Sequence, residues 1–440
     1  YDVIVVGSGA GGGMAAHTLT AAGHRVLMLE AGRDYDPVTE TPMFNTNHEA
    51  PLRGVRTPDK HFGFYDATVD GGWEVPGEPY TTAPGSEFLW WRARMLGGRT
   101  NHWGRFSLRF SEHDFKAYSR DGLGADWPME YADLAPWYDE AETLIGVSGD
   151  NPGLDDMPAS SPGVLQPPPQ PRVPELLLSA AAGKLGIPTA YMHRAVLTRP
   201  LDERQACFYA TPCGRGCSIG AAFQTTTSLL PMAMATGRLK IVTNAMVSKV
   251  TSGENGKAES VTYVDRITKK AINVQTSVLI LAASACETAR ILLNSKDARH
   301  PHGLANSSGE LGRNLMDSTS ANFAGYIPSL ENRPRYNEDG NTSNHLFIPW
   351  WGHKAQARGD LDFARGYHFE LGGGFGAPGM GIGRLAEGYG PALRASVQKG
   401  YGSTMGLALR GEMLPNSNCY MEVDDRVVDK LSLIHISEPT

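Results

Sequence analysis

The chain opens on four consecutive apolar residues, Val3, Ile4, Val5 and Val6, followed at once by a glycine cluster. An unbroken apolar run suits a strand buried on both faces, whereas a half-exposed strand alternates. Residues 14–22 favour helix, Gly23 stops it, and residues 25–30 form a second short apolar run. Strand, turn, helix, strand is therefore predicted for residues 1–31. Residues 36–92 are rich in Pro, Gly and aromatics without a clear period, and predict an ordered excursion over the surface. A helix is predicted over 130–145. Prolines at 162, 167–169, 171 and 174 then predict a semi-extended linker, because the proline ring fixes φ. Residues 239–278 alternate like a small antiparallel sheet, with a polar turn at 252–256. Residues 277–283 read as another buried strand feeding a helix over 287–294. After Asp317 the alternating, aromatic, Gly-rich texture predicts a second domain on an antiparallel sheet.

At 440 residues the chain exceeds one small domain, and two domains sharing a large core are expected. A net charge of −7 gives no footprint for nucleic acid or an anionic membrane surface. No apolar run approaches the ~20 residues of a membrane helix, so no transmembrane segment is predicted. The chain does not begin with Met, which leaves a leader, and hence the choice between bacterial cytoplasm and periplasm, open. Five cysteines are few for a disulfide scaffold, and three of them cluster, which points to ligands rather than staples.

The first chemical motif is Gly7-x-Gly9-x-x-Gly12. One glycine permits the tight turn, the second lets the backbone approach a pyrophosphate, and the third lets helix and sheet pack closely. The anion then faces a helix N-terminus. Glu30 follows 18 residues after Gly12, at the end of the second strand, where it is placed to bind ribose hydroxyls. Spacing alone does not separate FAD from NAD.

Residues 92–104, RARMLGGRTNHWG, supply the second motif, with Gly97, Gly98, Asn101 and His102. Together with the opening it resembles the glucose–methanol–choline (GMC) flavin oxidoreductases. Arg99 departs from the small residue usual there, and the His-Trp pair is closer to the branch with pyranose 2-oxidase and bacterial FAD sugar dehydrogenases. Residues 281–294 and 303–317 resemble the family's second signature and the loop after it. The resemblance implies an α/β fold: a Rossmann-type FAD-binding domain assembled from 1–35, 90–125 and 195–317, beside an α+β substrate domain. It further implies a surface cap over 36–89, a helical segment and linker over 126–194, and an incomplete substrate domain over 318–430. Gly97 and Gly98 would lie against the isoalloxazine ring, and Val247 would offer backbone contacts to the adenine. In pyranose oxidase the equivalent histidine carries the flavin covalently, so His102 is a candidate 8α-linked ligand. A histidine beside a non-covalent flavin, or one in the core, is the alternative.

Cys207, Cys213 and Cys217 lie within eleven residues. Three thiolates at loop spacing suit a [3Fe–4S] centre. A disulfide plus a free thiol, zinc with a distant fourth ligand, and inert buried thiols remain open readings. The spacing is similar to that in bacterial FAD glucose dehydrogenases, which implies a cytochrome partner and a small chaperone subunit. Cys286 and Cys419 read as packing residues. His345, His353, His368 and Trp90, Trp91, Trp350 and Trp351 read first as core or surface groups, and Arg194 and Arg199 as solvated or paired with carboxylates.

The resemblance implies oxidation of a CH–OH group of a sugar, polyol or related alcohol, with hydride passing to flavin N5. The electron acceptor would be a one-electron carrier for a dehydrogenase or O₂ for an oxidase. The family's basic histidine falls beyond Lys430. Residues 431–440 match the translation of a transposon-type sequencing adapter, so His435 is not nominated and no catalytic residue is assigned. A flavin-binding fragment without turnover is the expectation for residues 1–440 alone.

Overall fold

The structure is a computed structural model and describes residues 1–41, 43, 71–72, 75–86, 88–209, 213–334, 344–374 and 388–438. The two leading apolar runs form strands Val3–Val6 and Val26–Leu29, parallel neighbours with every residue buried. Leu279–Leu281 pairs in parallel with the first, and Leu239–Val242 with the second, which completes a four-stranded sheet. Each face of this sheet has its own core, as a strand's period of two requires. Val3, Val5, Val26 and Met28 pack with Ala16 and Leu230 on one side. Ile4, Val6, Leu27 and Leu29 pack with Val247, Val261 and Ile291 on the other.

Leu239–Val242 thus leaves the antiparallel sheet that its alternation predicted. It is an edge strand with Lys240 exposed, and half-burial writes the same pattern in either sheet type. The antiparallel sheet that remains is Ala245–Ser252, Ala258–Asp265 and Ala271–Gln275. The helix after the glycine turn spans Ala10–Ala21 and starts four residues earlier than its helix formers suggested. Glycine costs about 1 kcal/mol in a helix relative to Ala. Here close packing demands it, since a β-carbon on Gly13 would lie 2.6 Å from Thr225 Cγ2.

A second, antiparallel sheet has five strands in the order Ser318–Tyr326, Thr404–Glu412, Tyr367–Gly373, Leu346–Ile348, Ala190–Tyr191. Its last strand comes from the predicted linker, which also holds the helix Val173–Lys184 with Pro174 in its first turn, where no helical hydrogen bond is lost. The predicted helix spans Tyr131–Ile145, capped by Glu130 and Asp133. Most of the predicted surface excursion lies outside the described residues. Ile434–Glu438 forms a strand antiparallel to Glu422–Val428 and parallel to Thr81–Thr82. The fold is mixed α/β, with one parallel and one larger antiparallel sheet. No helix among the described residues is long and apolar enough to cross a membrane.

Candidate functional site

The glycine turn sits where the first strand meets the first helix. Gly7 has φ +98°, and a β-carbon there would lie 2.4 Å from the Ala282 carbonyl oxygen. A β-carbon on Gly12 would lie 1.9 Å from the carbonyl oxygen of Gly7, so the helix enters too close for any side chain. Gly9 differs. A β-carbon there meets nothing within 4 Å, so its backbone faces open space at the helix N-terminus, where an anion is favoured.

Glu30 ends the second strand, buried at 6 % exposure. Its carboxylate accepts the Ser8 N–H at 2.9 Å, the Ser8 hydroxyl at 2.5 Å and the Gly32 N–H at 2.6 Å. A carboxylate has about four acceptor sites, and the three contacts from the described residues already use three of them. The Ser8 Oγ in turn accepts the Gly97 N–H at 2.8 Å. One hydroxyl therefore ties the carboxylate to the second glycine motif. Ser8 sits at a variable position of the first motif, and sequence gave no signal for it.

Gly97 is left-handed at φ +85°, and residues Gly98–Asn101 form a single 3-10 turn. The Gly98 β-carbon position lies 3.9 Å from Gly9 Cα, so the two glycine motifs face each other. Asn101 is held from both sides: its amide donates to the Leu96 carbonyl at 2.8 Å, and its Oδ1 accepts from the Thr226 hydroxyl at 2.9 Å. That makes Asn101 a brace for the loop. His102 is buried at 7 % exposure, and its Nδ1 accepts the Trp91 indole N–H at 3.2 Å. The ring proton then belongs on Nε2, which is buried with no partner among the described residues. Burial, with Arg105 and Arg99 nearby, pushes the His102 pKa down to about 4. The ring is neutral at pH 7.

Val247 lies in the strand that leaves the end of the parallel sheet, where the Ala245 N–H donates to the Glu30 carbonyl at 2.8 Å. Its own carbonyl accepts from Arg290 Nη2 at 3.0 Å. Arg290 belongs to a buried ionic chain. Its Nε donates to Glu287 at 2.6 Å, Glu287 pairs with Arg94, and Arg94 Nε donates to Glu78 at 2.7 Å. Arg266 closes on the other oxygen of Glu78 at 3.1 Å.

The cysteines fall on a loop packed against the His102 segment. A β-carbon on Gly216 would lie 3.4 Å from the Asn101 carbonyl oxygen. Cys207, Cys213 and Cys217 line one cavity with Met43, Tyr209 and Ile219. Each sulfur accepts an N–H: Tyr209 to Cys207 at 3.3 Å, Ala222 to Cys217 at 3.4 Å, and Arg194 Nη2 to Cys213 at 3.8 Å. All five cysteines are free thiols. Burial and the neighbouring Cys213 push the Cys207 thiol up to about 12. Among the described residues no three His, Cys, Asp or Glu side chains stand close enough to hold a metal ion.

Other predicted residues sit away from this loop or serve packing. Trp90 packs with Cys286, Ala289 and Met421, and Trp350 is buried against His113 and His353. His345 Nδ1 donates to the Gln170 carbonyl at 2.6 Å, and its ring contacts Tyr209 beside the cysteine loop. His368 lies 3.6 Å from Glu370 on the antiparallel sheet. Arg199 is exposed as predicted, but Arg194 is wholly buried and meets no carboxylate among the described residues.

A parallel sheet, a glycine turn and a buried carboxylate closing the second strand define a Rossmann-type dinucleotide-binding protein. The chain belongs to the GMC oxidoreductase family, whose description matches residues 1–320. It is 29 % identical over 434 residues to 2-methyl-1,2-propanediol dehydrogenase of Mycolicibacterium austroafricanum, covering 95 % of this chain and 73 % of that protein. It is 30 % identical to the fructose dehydrogenase large subunit of Gluconobacter japonicus, covering 72 % of this chain and 58 % of the relative. It is 29 % identical to the 6'''-hydroxyparomomycin C oxidase of Streptomyces lividus, over 74 % of this chain and 56 % of the relative. Among solved structures, pyridoxine 4-oxidase from Mesorbium loti shares the fold, with a TM-score of 0.58 at 17 % identity over 96 % of this chain and 73 % of that one. Family membership supports FAD as the dinucleotide.

Proposed function

We propose that the protein is an FAD-dependent dehydrogenase that oxidises a CH–OH group of a polyol, sugar or related alcohol. The observation that carries this reading is the bond chain from Glu30 through Ser8 to Gly97, which fastens a dinucleotide turn to a second glycine loop. FAD, when bound, supplies a two-electron acceptor for the hydride. The chain's own residues bind and orient. The turn of Gly7, Gly9 and Gly12 takes the pyrophosphate, Glu30 the ribose, and the Val247 backbone the adenine. Gly97 and Gly98 lie against the ring system, with Asn101 bracing their loop. His102 Nε2, buried and without a partner among the described residues, is the proposed point of covalent attachment. Cys207, Cys213 and Cys217, which line one cavity but do not stand close enough to hold a metal ion as described, are the residues that would hold a [3Fe–4S] cluster serving a cytochrome partner if their loop closed on one. Two relatives named as a diol dehydrogenase and a fructose dehydrogenase subunit support the substrate class and the reaction.

A relative named as an oxidase favours a second reading, in which O₂ takes the electrons. Both are tested on the full-length protein by anaerobic bleaching of the flavin with diols and hexoses, with iron and labile sulfide measured in parallel. Bleaching, iron, and reduction of a one-electron acceptor are expected. Absence of iron together with O₂-dependent peroxide would establish the oxidase instead. Bound FAD that no alcohol reduces would leave a flavin-binding protein without this activity.

A further inference from the structure

Register gives the five-stranded antiparallel sheet two unlike faces, since alternate residues of a strand point to opposite sides. Phe369, Leu371 and Leu407 share one face, which the helix Val173–Lys184 closes with Leu178 and Ala182. The other face carries His368 opposite Arg410 and Glu370 opposite Ala408. On the edge strand beside them, Ser320 stands opposite Arg410 and Asn322 opposite Ala408, and both are exposed. A face that is merely solvated keeps its carboxylate in water, yet Glu370 is buried at 8 % exposure.

Neighbours on the same face hold that carboxylate in place. Arg410 Nε lies 3.4 Å from Glu370 Oε1, and His368 Nε2 lies 3.6 Å from the same oxygen. The guanidinium keeps its charge throughout, so Glu370 is fixed by an ion pair. The polar face also leads toward the flavin-side loop. Phe347 stands opposite Glu370, and its ring meets the His368 ring at 6.0 Å between centroids. Phe347 in turn packs with Phe106 and Leu108, on the segment that follows His102. One aromatic side chain thus joins the charged group on the sheet to the loop set against the proposed isoalloxazine ring.

Resting on the alcohol-oxidising function proposed above, we propose that Glu370 is the specificity-determining carboxylate of the substrate site. It accepts a hydrogen bond from a second hydroxyl of the substrate, so that diols and sugars are selected over monohydric alcohols. The hydroxyl at the reacting carbon gives up its proton during oxidation, and a fixed acceptor therefore recognises a hydroxyl that keeps one. An ionised carboxylate only accepts, and a hydrogen bond to it is about twice as strong as one between neutral groups. Burying such an acceptor without its donor is costly, which is how a site built for a hydroxyl rejects the analogue that lacks it. Arg410 and His368 are positioning residues, since they act through Glu370.

The test compares 1,2-propanediol with 1-propanol as reductants of the flavin in the full-length protein. Wild type, Glu370→Gln, Arg410→Gln and Arg410→Lys are measured, with FAD content determined for each. Wild type should show a kcat/KM at least about tenfold higher for the diol, the size of one charge-assisted hydrogen bond. Glu370→Gln should lose about 10- to 100-fold more on the diol than on 1-propanol, chiefly through KM. Arg410→Gln should show the same split at smaller size, and Arg410→Lys, which keeps the charge, should lessen it. Equal losses on both alcohols mark a merely structural carboxylate and overturn the proposal. If Glu370→Gln does not fold or hold FAD, the Arg410 variants carry the test, and a folded Arg410→Gln with the wild-type preference overturns it. A wild type reduced equally well by both alcohols also overturns it and leaves the alcohol-oxidising function standing. Reduction by no alcohol removes that function, and this proposal with it.

Discussion

Gly9 and Gly12 are three positions apart and are glycine for different reasons. Gly12 faces its own fold, since its β-carbon would sit on the Gly7 carbonyl at 1.9 Å. Gly12→Ala should therefore destabilise the protein with or without cofactor, by about 1–3 kcal/mol or more, as overpacked sites do. Gly9 faces open space with φ −66°, a value alanine adopts freely. Gly9→Ala should leave cofactor-free stability unchanged or slightly raised, while FAD affinity drops at least tenfold. Denaturant melts of the cofactor-free protein and flavin-quenching titrations separate the two, and equal effects in both variants would refute the distinction. His102 adds a pH signature. Its folded pKa of about 4 lies below the ordinary 6.5, so between those values the unfolded chain binds the proton first. Stability falls as pH drops from about 6.5 toward 4, and Asn in place of His102 should flatten that slope in thermal melts. Covalent attachment has its own readout, namely flavin fluorescence that stays with the denatured chain and disappears in His102→Ala. At this scale Gly7, Gly9, Gly12 and Glu30 were nominated by a spacing rule, and Gly97, Gly98 and His102 by resemblance to the family. Ser8 and the burial of Arg194 were not. A serine between glycines and an arginine in an apolar stretch look ordinary until the fold places Gly97 and Cys213 beside them.

Helices and strands are joined here by charge as well as by packing. The crossover from Leu279–Leu281 into the helix Ala285–Asn294 passes through Ser284 at φ +78°, a left-handed position held by a non-glycine residue. The helix is then anchored by Glu287, which stands between Arg94 and Arg290 with its side chain 6 % exposed. Glu287→Gln should cost about 3–5 kcal/mol in denaturant melts, because it removes the carboxylate between two buried cations and leaves Arg94 to Glu78 alone. Adding Arg94→Met should recover part of that loss, and strictly additive losses would refute the network. Long apolar runs were readable as strands, since burial on both faces leaves no ambiguity. Short edge elements were not. Two residues at Ala190–Tyr191 carry no period at all, and Leu239–Val242 carried the period of a half-exposed strand, which is common to both kinds of sheet.

Across the whole molecule, the mixed architecture was readable from the change of texture after Asp317, because buried parallel and half-exposed antiparallel strands differ in pattern. The cysteine loop was readable as a cluster of thiols but not as a contact with the segment that leads into the strand Leu346–Ile348. That role depends on the Tyr209–His345 ring contact, 5.9 Å between centroids, which joins residues far apart in the chain. If FAD binds the described site, saturating the protein at a hundred times its dissociation constant should add about 2.7 kcal/mol of stability. A melting temperature that ignores added FAD would show that the folded chain does not bind it. The strand order of the parallel sheet also sets a timetable. Val26–Leu29 waits for a neighbour that begins at Leu239, and Val3–Val6 waits for Leu279. At about 5–20 residues per second, the ribosome leaves those two apolar strands with open edges for roughly 10–55 s. Through that interval they are sticky templates that a chaperone can shield. The nucleotide cleft, written in the first thirty residues, is among the last parts of this domain to exist.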